Sequence, residues 1–109
     1  MADLPSVNTH QALLSAGLDP TTASFAASQI DNAKRARSGV AMNEIEIADF
    51  NAKVEQKWRD DFATNKALVQ RAFNRAGAHG QVLQEAVLAS GRDVALFVYE
   101  TLKNSERHK

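Results

Sequence analysis

Apolar positions recur at intervals of three and four along most of this chain, the period of an α-helix that buries one face. The longest stripe is Ile47, Phe50, Val54, Trp58 and Phe62, continued by Val69, Phe73 and Ala76. Asn43 opens it with Glu46 three residues on, the spacing of a capping box, and Gly77 closes it. Unbroken, a helix of ~33 residues at 1.5 Å per residue is about 50 Å long. A solid globule of this chain length has a radius of gyration near 13 Å and is about 35 Å across. The segment is therefore expected to overrun the globule or to break. Its stripe falters at Thr64-Asn65, where Asn takes an apolar position, and a kink is expected there if anywhere.

Shorter helices flank this segment. Residues 1–7 read as a loose arm, and Asn8 with Gln11 repeats the capping-box spacing. A helix over 10–16 then ends at Gly17. Asp19-Pro20 restarts the chain, because Asp accepts from orphan amides and Pro at the first helical position gives up no useful donor. The second helix covers 20–37, with Phe25, Ala26 and Ile30 on one face, and stops at Ser38-Gly39. Beyond the long segment, a helix over 81–89 carries Val82, Leu83, Ala86 and Val87, and Ser90-Gly91 marks the next turn. The run Val94 to Tyr99 has strand-like composition, but no second strand exists to pair with it, so 92–104 is expected to be a nearly all-buried helix. The polar tail 105–109 is expected to fray. The pattern predicts one all-α domain over 1–109, of about five helices, with two short helical hairpins flanking one long central amphipathic helix. Residues 11–19 and 85–93 share a short-helix, Gly, x, Asp layout, which reads as punctuation on which helix hairpins converge or, alternatively, as two related hairpins; either way the architecture is hairpin, long helix, hairpin.

Composition agrees. Nineteen residues are Ala, the best helix former, and only two Pro and five Gly interrupt the chain. Twenty-nine large apolar side chains suffice for one modest core. Thirteen basic and thirteen acidic residues cancel to a net charge of zero, but not locally. Residues 39–61 hold six acids and three bases, while 62–80 hold Lys66, Arg71 and Arg75 and no acid. Acids early and bases late suit a helix dipole. They also suit antiparallel self-association, in which each acidic half lies on the other's basic half.

Chemistry-bearing motifs are scarce. There is no phosphate-binding glycine loop, no dinucleotide fingerprint and no nucleophile elbow. Gly77-Ala78-His79-Gly80 has the spacing of an RNA-binding Gly-x-x-Gly loop without its flanking strands, and reads as helix punctuation. The chain has no Cys, and His10, His79 and His108 lack partners at ligand spacing on one helix face. The carboxylate pairs Glu46/Asp49 and Asp60/Asp61 read as solvated helix surface. The expectation is a non-enzymatic protein with no cofactor and no metal. No secretory signal is recognisable and no apolar run approaches the roughly 20 residues of a membrane span, which fits a cytoplasmic or intravirion setting. Surface binding to a membrane is disfavoured by the acidic first half of the long helix.

The overlong stripe is the main functional pointer. Phe50, Val54, Trp58, Phe62 and Phe73 are candidate protein-interface residues, since aromatic stripes left outside a core mark partner sites and Trp often anchors them. The expected function is assembly or interaction through protein–protein contact, with a partner or with itself, as in a phage virion component, an adaptor or a small inhibitor. The alternative is a nucleic-acid-associated regulator. Residues 10–30 have a helix-turn-helix outline, and Lys34, Arg35, Arg37, Lys66, Arg71 and Arg75 form one basic patch if their helices pack side by side. A reading helix without a cation before Lys34 and a neutral chain count against this alternative.

Overall fold

The computed structural model describes residues 5–109, with side chains from Thr9 onward. Its elements are α1 (Pro5–Ser15), α2 (Pro20–Ala36), α3 (Glu44–Trp58), α4 (Phe62–Ala76), α5 (Gly80–Ser90) and α6 (Arg92–Arg107). Single 3₁₀ turns over Arg59–Asp61 and Gly77–His79 join α3 to α4 and α4 to α5, so 44–90 is one helical stretch in three segments. The described residues contain no strand, and the fold is all-α. Its radius of gyration is 13.1 Å and its extents are 47 × 33 × 21 Å.

Local sequence accounts for most of the helix ends. Gly17 (φ 104°) closes α1 in a Schellman motif, in which Leu18 N donates to Leu13 O at 3.2 Å and Gly17 N to Leu14 O at 3.0 Å. Asp19 caps α2, accepting from Thr22 N at 3.0 Å and Thr22 Oγ1 at 2.7 Å, and Pro20 takes the first helical position. Those two bonds hold the Asp19 carboxyl below its ordinary pKa. α2 also ends in a Schellman pair, with Ser38 N donating to Arg35 O at 3.1 Å and Gly39 N to Lys34 O at 2.8 Å. Here the first left-handed residue is Ser38 (φ 55°). The Asn43–Glu46 capping box forms as expected, with bonds of 2.8 and 3.1 Å. Arg37 grips the same Glu46 through two bonds of 3.0 and 3.1 Å, which depress the carboxyl's pKa further. Met42 N donates to Leu88 O, tying the loop before α3 to α5.

The two hairpins form a scaffold around the middle segments. α1 packs on α2, and both lie on α5; α6 lies along α4 and α3. Leu13, Ile30, Leu83, Val98 and Leu102 are fully buried at the centre. Ala12, Ala16, Ala23, Ala26, Ala72 and Ala95 are also fully buried, and their small side chains let the helix axes approach closely. Gly80 serves the same end: a Cβ there would stand 3.0 Å from Phe73 O. Many alanines on helix faces are therefore packing positions.

Three boundaries differ from the sequence pattern. α1 begins at Pro5, so Asn8 lies inside it rather than capping it, and of the expected loose arm residues 1–4 lie outside the described residues. α6 continues to Arg107, because Glu106 is buried against α4 and holds the last turn down. The long segment breaks at Arg59 (φ 50°, ψ −120°), six residues before Asn65. Asn65 itself sits within α4, buried, where its Oδ1 accepts from Arg107 Nη2 at 2.6 Å. The polar interruption in the stripe is a hydrogen-bonding position, and the helix runs straight through it.

Candidate functional site

The break at Arg59 sets α4 at an angle to α3 and opens a groove between them. Its walls carry Asn51, Val54 and Glu55 from α3 and Phe62, Lys66, Val69, Gln70 and Phe73 from α4, with Trp58 and Tyr99 between. The volume is about 500 Å³. Four aromatic rings are coupled beneath it. Tyr99 stacks on Trp58 with centroids 6.5 Å apart and meets Phe50 and Phe73 edge to face at 5.0 and 6.3 Å. Burial alone pushes the Tyr99 phenol above its ordinary pKa of 10.0, so it stays neutral over the physiological range.

Polar bonds fix this floor from below. Trp58 Nε1 donates to Glu100 Oε2 at 2.9 Å, and Lys103 Nζ donates to Glu100 Oε1 at 2.6 Å while lying 5.6 Å from the Trp58 ring centroid. Burial raises the Glu100 pKa, but the bonds from Lys103 and Trp58, with the charges of Lys103 and Lys57, outweigh it and leave it lowered. Trp58 is thus held in one orientation. The rim is different. Glu55 and Lys66 are exposed, and neither joins an ion pair among the described residues. Lys66 Nζ lies 5.5 Å from the Phe62 ring centroid.

Of the five residues singled out as an interface, Phe50, Val54 and Trp58 are buried in the core. Trp58 is only 6% exposed. Phe62 and Phe73 are half-buried and present part of their rings to the groove. Sequence reading missed Tyr99 and Glu100. Tyr99 closes the apolar run of α6 and Glu100 follows it directly, so a Tyr and an acid at the end of that run were the available signal.

The six basic residues do not form one patch. α2 packs on α1, α5 and α6, and α4 packs on α6, α5, α1 and α3, so the two sets lie on different helices that are not laid side by side. Arg37 is committed to Glu46, and Arg75 to Glu106 through bonds of 2.9 and 3.0 Å. Arg35 donates to Asn32 Oδ1 at 2.5 Å. Lys34 is half-buried, and Arg71 is exposed. In the helix-turn-helix outline, α2 exposes Thr21, Ser24, Phe25 and Ser28 and buries Ala23, Ala26, Ala27 and Ile30 against the scaffold. Phe25 is 57% exposed and meets Phe97 edge to face at 5.7 Å.

A second, polar concavity of about 350 Å³ lies between α1 and α2, lined by His10, Ser24, Ser28, Asp31, Asn32 and Arg35. His10 Nε2 is shielded from solvent there and has no hydrogen-bond partner. Among the described residues no three His, Cys, Asp or Glu side chains cluster to hold a metal ion, and no helix is long and apolar enough to cross a membrane.

Comparison with models of known protein families, with curated proteins and with solved structures gave no match for this chain.

Proposed function

We propose that this chain is a non-enzymatic helical interaction protein that takes an amphipathic helix of another protein into the groove between α3 and α4. The observation that carries this reading is the composition of the groove. An apolar, aromatic floor immobilised by Glu100 lies between two rims, one bearing the unpaired acid Glu55 and the other the unpaired base Lys66. Helix-in-groove recognition uses this combination: apolar anchors supply affinity, and flanking charges fix direction. The partner helix would set a basic residue toward α3 and an acidic residue toward α4. The basic residues support a nucleic-acid role less well, because Arg37 and Arg75 already neutralise carboxylates of the same chain.

The test is a pair of designed amphipathic helical peptides followed by amide chemical shifts. Both share a leucine face; one carries Lys toward Glu55 and Glu toward Lys66, and the other reverses these charges. The matched peptide should shift resonances of Phe62, Val69, Phe73 and Tyr99 and bind several-fold more tightly than its reverse. Lys66→Glu, which makes both rims acidic, should abolish the preference, and Glu55→Lys combined with Lys66→Glu should invert it. Silence of these resonances at millimolar peptide would remove the groove from consideration.

A further inference from the structure

Arg59 and Gly77 occupy the same backbone conformation, φ 50° with ψ −120° and φ 58° with ψ −122°. Each follows the last residue of an α-helix and opens a 3₁₀ turn. Glycine reaches this region without a steric cost, whereas an L side chain rarely adopts it. The joint between α4 and α5 therefore has the residue its geometry asks for, and the joint between α3 and α4 does not. No Gly or Pro stands anywhere in 44–76, and the apolar stripe keeps its phase across the break, from Val54 through Trp58 and Phe62 to Val69. Apart from Asp60 and Asp61, which favour the start of α4 through the helix dipole, local sequence favours a continuous helix. The bend is imposed by packing, chiefly by Trp58 held on Glu100 and Tyr99.

A short joint under strain between two packed halves is the geometry that invites exchange between copies. We propose that the chain has a second, dimeric form in which Arg59 relaxes, 44–76 becomes one straight helix, and two copies exchange their halves across it. A single straightened chain would expose Leu13, Ile30, Leu83 and Leu102, all fully buried in the bent form. A second copy covers them again. α1 to α3 of one chain pack on α4 to α6 of the other, and every contact outside the joint is re-formed, including Trp58 to Glu100. The acidic α3 and the basic α4 attract each other whichever chain supplies them. The net charge of zero sets no Coulombic barrier to pairing. This dimer does not depend on what occupies the groove, whose α3 wall would then come from one chain and whose α4 wall from the other.

The experiment is refolding at millimolar and micromolar concentration, followed by size-exclusion chromatography with light scattering on the wild type and two variants. The wild type refolded at high concentration should yield a dimer that persists for hours after dilution, because exchange requires the halves to separate. Arg59→Gly relieves the strain in the bent form and should weaken dimerisation about tenfold per joint. Arg59→Ala with Asp60→Ala keeps the strain, removes an acid that favours starting α4 there, and should raise the dimer fraction above that of the wild type. The proposal is overturned if no dimer forms in any of the three. It is equally overturned if the dimer fraction is indifferent to position 59, or if the dimer splits within a column run, since that marks an ordinary surface contact.

Discussion

At the residue scale, Arg59 and Gly77 give the most direct measurements, because one backbone conformation carries two different side chains. Strain at such a position costs of order 1–3 kcal/mol, and glycine's extra freedom in the unfolded chain offsets about 0.5–1 of the relief. Arg59→Gly is therefore expected to stabilise the bent monomer by about 1 kcal/mol, read as a rise of roughly 4–8 °C in Tm. Gly77→Ala should destabilise by about 1–3 kcal/mol through backbone alone, since a Cβ there meets nothing within 4 Å. Glu106 is the other informative residue. Its side chain is fully buried, and the two bonds from Arg75 hold its pKa below the ordinary 4.5 against the opposing effect of burial. A depressed folded value means that the stabilisation is complete above the ordinary carboxylate pKa and is lost as pH falls through the folded one. The thermal stability of the wild type should fall on acidification below about pH 4.5, and Glu106→Gln should flatten that acid limb. An unchanged limb would assign acid sensitivity to other carboxylates, of which Glu46 and Glu100 are the nearest in kind.

At the scale of elements, helix punctuation was legible where side chains act on their own backbone. Asp19-Pro20, Asn43 with Glu46, Gly17 and Gly91 all mark helix ends at or within a residue or two of where the sequence puts them. Removing the α3 cap with Asn43→Ala should cost about 1 kcal/mol, measured by denaturant unfolding. Ser38 stands in the left-handed position that glycine usually fills at a Schellman end, and it is exposed. Ser38→Gly should be neutral or stabilising by a few tenths of a kcal/mol in the same assay. Ends that depend on another element were not legible. α6 extends to Arg107 because Arg75, on α4, reaches Glu106. The Asn65 interruption signals no kink because Arg107, 42 positions away, completes it. A window that sees only near neighbours records Asn65 as a fault in the stripe.

On the scale of the whole molecule, the stripe divides between two tasks. Phe50, Val54 and Trp58 fill the core, while Phe62 and Phe73 share theirs with the groove. Trp58→Ala should consequently cost about 3–5 kcal/mol and lower helicity, which makes it a stability variant. If Trp58 is instead an interface anchor, far-UV circular dichroism and Tm will hold while association falls. The same Trp is a built-in reporter. Its buried indole, bonded to Glu100, should emit to the blue of a solvated Trp and shift red on unfolding.

The sequence by itself determined that the chain is helical, where most helices begin and end, and that two hairpins flank a long central segment. Those properties follow from a 3.6-residue period, from capping side chains and from glycines, all of which act over a few residues. Tertiary structure decided where the long segment bends, because the stripe remains in phase through Arg59, Asp60 and Asp61 only favour a new helix start there, and Trp58 packs on α6 at that joint. It alone decided which aromatic residues are core and which line a groove, since a stripe records that a face is apolar and not what covers it. It also separated the cations of α2 from those of α4, because one-dimensional charge carries no information on which helices are neighbours.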